Sequence, residues 1–139
     1  IGFKQKPFKF IKFRTMKKNS NDEITKIGKF LRRTSIDEIP QLINVLIGEM
    51  SIVGPRPYPK DVLNNTSEEN IVLRHNVKPG ITGYSQIYFN GKKRSLEEKI
   101  IHDIHFVSNY SVWLYLKIIF KTPHTLLKRY FLNPTGKTL

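Results

Sequence analysis

The strongest local constraint in this sequence is a loop rich in proline. Prolines stand at positions 55, 57 and 59, directly after Gly54. Each proline fixes its own φ and restricts the residue before it, so the segment is predicted to be extended and stiff. Arg56 lies between two of these prolines. Its backbone is therefore expected to be held in place at little further entropic cost.

The composition indicates a folded domain rather than a disordered basic tail. The chain has 139 residues, of which 39% are hydrophobic and 12% aromatic. This length favours a single domain, because domains average ~150 residues. The sequence has no cysteine, which excludes a disulfide scaffold, a zinc site made of Cys ligands and a thiol nucleophile.

Positive charge is concentrated at the two ends of the chain. The net charge is +13, and residues 1–33 contain eleven lysines and arginines but only two acids. No acid follows Asp103. A surface this basic attracts anions, which leaves nucleic acid, anionic lipid headgroups and a nucleotide-type substrate as partners.

The spacing of apolar residues predicts an α+β, helix-dominated domain with a few short strands. The predicted elements are strands at 8–13 and 81–89, a turn at 19–22, and helices at 25–33, from 35 to 48, near 71–74, at 96–107 and from 112, the last one broken or kinked near Pro123. Ser35 and Ser95 each begin a capping-box pattern. Pro40 falls beyond the first turn of its helix, which either is distorted there or begins near Pro40.

Two adjacent acids, Asp37 and Glu38, lie at the entrance of that helix. One interpretation is structural, because acids in a first turn stabilise the helix dipole and Glu38 would complete the cap. The other interpretation is chemical. Arg32 and Arg33 lie four to five residues upstream and Arg56 lies on the stiff loop, and guanidinium groups bind phosphate and keep a nearby carboxylate ionised. The acid pair, the arginines and the stiff loop together suit phosphoryl transfer with an oxygen nucleophile and Mg²⁺.

Four segments, in order along nearly the whole chain, carry a recognisable pattern. They are IKFRTM (Ile11–Met16), TKIGKFLRRTSIDEIPQLINVLIGEMSIVGPRP (Thr25–Pro57), PGITGYSQI (Pro79–Ile87) and, more loosely, HDIHFVSNYSVWLYLKIIFKT (His102–Thr122). In these segments the chain resembles the bacterial sugar transferases, which are monotopic polyprenyl-phosphate phosphoglycosyl transferases. The similarity is most specific from Arg32 to Pro57.

The resemblance implies a reaction and a set of site residues. Members of this family transfer a sugar-1-phosphate from a UDP-sugar to a polyprenyl phosphate such as undecaprenyl phosphate, and they release UMP. The resemblance implies that Asp37 attacks the β-phosphate to form a covalent phosphosugar intermediate, and that Glu38 binds Mg²⁺ or assists as acid or base. The residues with implied substrate-binding roles are Lys12, Arg14, Arg32, Arg33, Arg56 and Asp103. A surface acid paired with a lysine such as Lys99 is the alternative interpretation of Asp103.

The resemblance also implies a membrane-associated catalytic domain over residues 1–139, at the cytoplasmic face of the bacterial inner membrane. The re-entrant membrane helix of the family would lie ahead of Ile1, so the chain is expected to be truncated at its N-terminus. The segment 111–132 is expected to be an interfacial amphipathic helix, because its apolar run is too short to span a bilayer and lies beside cations. A core helix with snorkelling lysines is the alternative.

One departure and one alternative function remain. After Gln86 many family members continue with Val-Asn-Gly-Arg, whereas here Ile87–Lys92 intervenes, and this difference bears on sugar or nucleotide specificity.

The alternative function is a basic module without catalysis that binds nucleic acid or anionic lipid. The aromatics beside lysines in 8–13 favour it. Because it gives the acid pair Asp37-Glu38 no role, nucleic acid is not the expected partner.

Overall fold

The fold was analysed in a computed structural model that describes residues 1–18, 23–89 and 94–132. Within these residues the chain forms six α-helices and one sheet of two strands. The helices are α1 (Lys26–Thr34), α2 (Gln41–Leu46), α3 (Glu68–Arg74), α4 (Tyr84–Phe89), α5 (Leu96–Ser108) and α6 (Val112–Leu132), and the strands are β1 (Ser51–Val53) and β2 (Gly80–Thr82). The prediction of a helix-dominated chain with short strands is confirmed. The predicted turn at 19–22 lies outside the described residues.

The two strands lie parallel next to the hydrophobic core. Val53 of β1 pairs with Thr82 of β2. Val53, Phe106 of α5 and Ile118 of α6 form the buried cluster against which the surrounding apolar side chains pack. Gly80 is required at the start of β2, because a Cβ atom there would overlap the backbone nitrogen of Gly54. The sheet therefore fixes the start of the proline loop, which follows β1 directly.

The strand predicted at 8–13 is wrong. The side chain of Asn44 occupies the place of a neighbouring strand: its Oδ1 accepts from the Ile11 N–H at 3.2 Å and its Nδ2 donates to the Lys9 carbonyl at 2.8 Å. Farther along, the Phe13 N–H donates to the Asp37 carbonyl at 3.1 Å. One side-chain amide and one turn carbonyl satisfy these backbone groups without a repeating ladder of bonds.

The strand predicted at 81–89 is also wrong over most of its length. Strand β2 ends at Thr82, and α4 begins at Tyr84. Tyr84 and Ile87, one helical turn apart, both pack against the core. A short apolar run of this kind has no periodicity that separates a strand from a buried helix.

The capping box predicted at Ser35 is wrong as well. Ser35 has a left-handed backbone with φ 59° and ends α1, and its side chain makes no cap hydrogen bond. A single 3₁₀ turn over Ile36–Glu38 follows, and α2 begins at Gln41 with Pro40 as its N-cap. The alternative in which the helix begins near Pro40 is thus confirmed. The second predicted capping box, at Ser95, is present at the start of α5.

Helix α6 continues through Pro123, so of the two alternatives predicted there, a break or a kink, the break is wrong. Ser111 caps its start, because the Leu114 N–H donates to Ser111 Oγ at 3.1 Å. Ile118 is fully buried, whereas large apolar side chains at Val112, Trp113, Leu116, Phe120, Leu127 and Phe131 are exposed. Among the described residues, no helix combines the length and the hydropathy needed to cross a bilayer.

Candidate active site

The adjacent acids lie on the 3₁₀ turn between α1 and α2. Asp37 is only 6% exposed, and the side chain of Glu38 is 12% exposed. The segment around Phe13 runs beside this turn and contacts the Asp37 carbonyl through its N–H. Charges in such a position are shielded from water, so their interactions with neighbouring ions are stronger than on an open surface.

Arg56 of the proline loop reaches this turn. Its Nη2 donates to Glu38 Oε1 at 2.7 Å. Burial by itself lowers the pKa of Arg56, but the Glu38 carboxylate, with smaller effects from Tyr58 and Asp37, raises the pKa above its usual value. The guanidinium therefore stays charged and is attracted to both acids of the turn.

Three further predicted cations lie around the same turn. Arg32 Nε donates to Thr15 Oγ1 at 2.8 Å, which ties the last turn of α1 to the segment before it. Lys12 and Arg14 belong to that segment, flank Phe13 and are exposed. The backbone that carries Lys12 and Arg14 thus runs beside the acid turn at Phe13 and is tied to Arg32 through Thr15, while the side chains of Lys12 and Arg14 are open to solvent.

Arg33 points elsewhere. Its Nη2 donates to the Tyr130 carbonyl at 3.3 Å, and its guanidinium carbon lies 4.3 Å from the centroid of the Tyr130 ring. These contacts join α1 to the C-terminal part of α6. Arg33 is therefore engaged with α6 rather than brought to Glu38 as Arg56 is.

Asp103 is buried in the interior, so its interpretation as a surface acid paired with Lys99 is wrong. It is 1% exposed, its Oδ2 accepts from Arg74 Nε at 2.9 Å, and its Oδ1 accepts from Ser85 Oγ at 2.7 Å. Arg74 also donates through Nη2 to the backbone carbonyl of Arg56. Asp103 is thus linked to the site through Arg74 and the proline loop.

The comparisons with known proteins decide the family. The sequence profile described as bacterial sugar transferase matches residues 1–129. The chain belongs to the bacterial sugar transferase family.

Three relatives of this chain carry informative names. It is 44% identical over 142 residues to the UDP-glucose:undecaprenyl-phosphate glucose-1-phosphate transferase of Escherichia coli K12, covering 87% of this chain and 30% of the relative. It is 36% identical over 143 residues to an Aeromonas hydrophila UDP-N-acetylgalactosamine-undecaprenyl-phosphate N-acetylgalactosaminephosphotransferase, and the match covers 91% of this chain and 34% of the relative. It is 45% identical over 136 residues to the sugar transferase EpsL of Bacillus subtilis, covering 91% and 66%.

The chain spans about a third of the length of the first two of these relatives. The names of these two relatives give two different sugars but the same lipid phosphate. None of these names supports the alternative of a nucleic-acid-binding module.

Two residues of this chain that matter for the site are missed by sequence reasoning. Arg74 is one, because a single arginine at the end of a short helix indicates only a favourable dipole interaction. Asn44 is the other. Gln41 and Asn44 are one turn apart on a helix that is otherwise apolar, and both are buried. A polar stripe on such a helix ordinarily faces solvent, so the sequence pattern predicts exposure where the structure shows burial.

The acid pair fits a divalent cation only together with a substrate. Within residues 1–18, 23–89 and 94–132, no group of three His, Asp or Glu side chains is arranged to hold a metal ion. Mg²⁺ commonly takes only one or two carboxylates and completes its shell with phosphate oxygens and water. Two neighbouring carboxylates, Asp37 and Glu38, are a suitable donor set of that kind.

A cavity of about 250 Å³ lies beside the sheet. Its lining residues are Ser51, Val53, Val77, Lys78 and Tyr110. None of the predicted site residues is among them. The candidate active site is therefore defined by the charged groups around the Asp37 turn and not by this cavity.

Proposed function

We propose that this domain transfers a sugar-1-phosphate from a UDP-sugar to undecaprenyl phosphate, giving undecaprenyl-diphospho-sugar and UMP. The observation that carries the proposal is the Arg56–Glu38 ion pair, which joins the proline loop to the turn that holds Asp37. The names of the Escherichia coli and Aeromonas hydrophila relatives support the substrate classes, because both include a UDP-sugar and undecaprenyl phosphate.

The proposed chemistry has two displacements at one phosphorus atom. A carboxylate oxygen of Asp37 attacks the β-phosphorus of the UDP-sugar. An O–P bond forms, and the bond from the β-phosphorus to the bridging oxygen breaks, so that UMP leaves with that electron pair. A phosphate oxygen of undecaprenyl phosphate then attacks the same phosphorus, the bond to Asp37 breaks, and the carboxylate is regenerated.

The neighbouring charges supply what these steps need. Negative charge accumulates on the diphosphate oxygens, and fixed cations stabilise it without reorganising at the moment of reaction. Arg56, Arg32, Lys12 and Arg14 are assigned to this task. Glu38 orients Arg56 and is the carboxylate assigned to Mg²⁺, which when bound with the nucleotide supplies further positive charge at the diphosphate.

The exposed apolar surface supports a membrane as the partner surface. On α2 the arrangement is the reverse of that in a soluble domain: the polar side chains of Gln41 and Asn44 are buried, whereas Leu46 is 86% exposed. Other large apolar side chains on or beside α1 and α2 are also exposed, namely Ile27, Phe30, Ile39, Leu42, Ile43 and Ile47. Exposed apolar area of this extent marks an interaction surface.

Lysines beside these apolar side chains favour an anionic lipid surface. Lys26 and Lys29 are exposed on α1 next to Ile27 and Phe30. On α6 the exposed residues include Lys117, Lys121 and Lys128. A helix with an apolar face rimmed by lysines lies in the headgroup region of a bilayer. We assign this surface, including the segment 111–132, to the cytoplasmic face of the bacterial inner membrane, from which the long lipid phosphate reaches Asp37.

The proposal is tested with the full-length protein in liposomes. The assay supplies UDP-glucose or UDP-N-acetylgalactosamine, Mg²⁺ and undecaprenyl phosphate, and it measures UMP release and the lipid product. UMP release that depends on the protein and a lipid-linked sugar phosphate are expected. Release of free sugar phosphate without a lipid product, or no release with any UDP-sugar, would overturn the proposal.

A further inference from the structure

The loop that carries Arg56 is held through its carbonyl groups. Its three prolines have no N–H, so the loop has lost donors that other loops use to fix their backbone. The carbonyl of Pro55 accepts from the Gly80 N–H at 3.0 Å. The carbonyl of Arg56 accepts from Arg74 Nη2. The position of Arg56 is therefore set by a donor on another element, at the end of α3.

Arg74 is itself fixed on several sides. It is 2% exposed and forms a buried ion pair with Asp103 at 2.9 Å. Asp103 is held in turn by Ser85 Oγ at 2.7 Å. The ring of Tyr58, two residues after Arg56 on the same loop, lies 4.9 Å from the Arg74 guanidinium carbon. Helices α3, α4 and α5 thus all contribute to the placement of one guanidinium group under the loop.

Stability alone does not account for this arrangement. A buried ion pair loses the hydration of both charges, and apolar side chains of similar volume are often at least as stabilising. What apolar side chains cannot do is donate to the Arg56 carbonyl. The geometry of the pair is therefore the property that distinguishes it from an ordinary core contact.

We propose that Arg74 is a positioning residue that holds the backbone of Arg56 so that the Arg56 guanidinium meets Glu38 and the diphosphate of the substrate. Asp103 and Ser85 keep Arg74 in the required orientation. This inference rests on the proposed transferase function. It assigns Asp103 an indirect role in place of the substrate contact implied by family resemblance.

The test compares two backgrounds of the full-length protein. The double variant Arg74→Met/Asp103→Leu replaces the ion pair by apolar side chains and is chosen to keep the fold. Arg74→Lys keeps a positive charge for Asp103 but lacks the planar fork that reaches both partners. Each is made in the wild-type protein and in an Arg56→Gln variant, and UMP release is measured for all of them.

The expected result is a loss that depends on Arg56. A misplacement of about 1 Å near reacting groups can cost about 100-fold in rate, so a loss of roughly that size is expected in the wild-type background. In the Arg56→Gln background, a further loss below about twofold is expected, because sites that act through one another are not additive. Equal losses in both backgrounds, or no loss in the wild-type background, would overturn the inference. Arg94→Lys, in the exposed pair with Glu98, is the matched control.

A second measurement separates this inference from the proposed function. NMR of the ¹⁵N-labelled arginine side chains reports slow guanidinium rotation when Arg56 is paired with Glu38, and it needs no substrate. Arg74→Lys is expected to remove the slow Arg56 signal. If that signal is lost while no variant releases UMP, the positioning role stands and the proposed function fails. If UMP is released and the Arg56 signal is unchanged by Arg74→Lys, the positioning role fails.

Discussion

Arg56 Nη2 lies 2.7 Å from Glu38 Oε1, although the two residues are 18 positions apart in the sequence. The side chains are 29% and 12% exposed, so this pair is more shielded from water than the chain's surface ion pairs. It connects the only part of the chain with alternating prolines, 55–59, to the turn that carries both candidate catalytic acids. The Arg56 guanidinium is thereby held by the proline loop that carries it and by Glu38, the neighbour of Asp37 on the turn.

Removal of this cation is expected to lower the reaction rate strongly. Arg56→Gln takes away a charged donor that would stabilise the phosphate oxygens, and loss of such a donor costs about 10²–10³ in kcat. Steady-state UMP release by the full-length protein measures the effect. Lys17→Gln is the control, because Lys17 forms a pair of the same 2.7 Å length with Glu23, but with side chains 54% and 58% exposed. Similar losses in both variants would show that Arg56 has no special role.

The side chain of Asn44 is expected to be essential for stability. It is fully buried and bonds Lys9, Ile11 and Glu49. Asn44→Ala leaves the partly buried Ile11 N–H and Lys9 carbonyl without this partner, and a loss of about 1–3 kcal/mol in the free energy of unfolding is expected. Chemical denaturation measures it. Asn65→Ala, at an exposed position, is expected to change the free energy by less than about 0.5 kcal/mol. Equal effects would contradict the structural role given to Asn44.

Asn44 also explains why sequence reasoning fails at 8–13. The alternation of aromatics and Ile with lysines there is typical of a strand. Whether a strand forms, however, depends on which part of the chain pairs with this backbone. The partner is a side-chain amide from α2. A pattern decided within a few residues succeeds where no residue interrupts it. The Ser95 capping box and the helix after it are confirmed, whereas the one predicted at Ser35 is followed by Pro40, and the helix begins only at Gln41.

The same limit applies to the site. The acid pair, Arg56 and the stiff loop between prolines are visible in the sequence, because residue types and local backbone constraints identify them. Which arginine reaches the acids is set by tertiary packing, so Arg33 turns to Tyr130 whereas Arg56 reaches Glu38. The alternative in which Asp103 is a surface acid paired with Lys99 fails for the same reason, because its partner Arg74 lies 29 residues away in the sequence and both side chains are buried.

The exposed apolar face of α2 is expected to contact lipid. Leu46→Glu introduces a charge at a position that is 86% exposed, so the fold is preserved while partition into a bilayer becomes unfavourable. Flotation of the full-length protein with vesicles containing anionic lipid is expected to show weaker binding, whereas Val72→Glu on α3, 44% exposed, serves as the control. Binding lost equally in both variants, or in neither, would remove α2 from the membrane surface.

The stability of the fold is expected to fall in mild acid because of His75. Burial lowers the pKa of His75 below its usual value, and Arg74 adds to this effect. The contact of Nδ1 with the Ile71 carbonyl at 2.6 Å acts in the opposite direction but does not reverse the shift. A lowered folded-state pKa means that the stabilisation is present above the unfolded pKa and is lost as the pH falls through the folded pKa.

The free energy of unfolding, measured by chemical denaturation between about pH 7.5 and about pH 5.5, tests this. It is expected to fall by up to about 1.4 kcal/mol per pH unit. His75→Gln is expected to lose this part of the slope. His124→Gln, at an exposed position, is expected to retain it. A slope that persists unchanged in His75→Gln would assign the acid sensitivity to another group.

Capture of the phosphosugar on the enzyme tests the central assignment most directly. The full-length protein is mixed with UDP-sugar and Mg²⁺ in the absence of lipid phosphate, quenched within a single turnover, digested and analysed by mass spectrometry. A sugar-phosphate adduct on Asp37 is expected, together with one UMP per adduct, and it should disappear when undecaprenyl phosphate is added. An adduct on a different residue, or UMP release by Asp37→Asn at the wild-type rate, would contradict the assignment of Asp37 as the nucleophile.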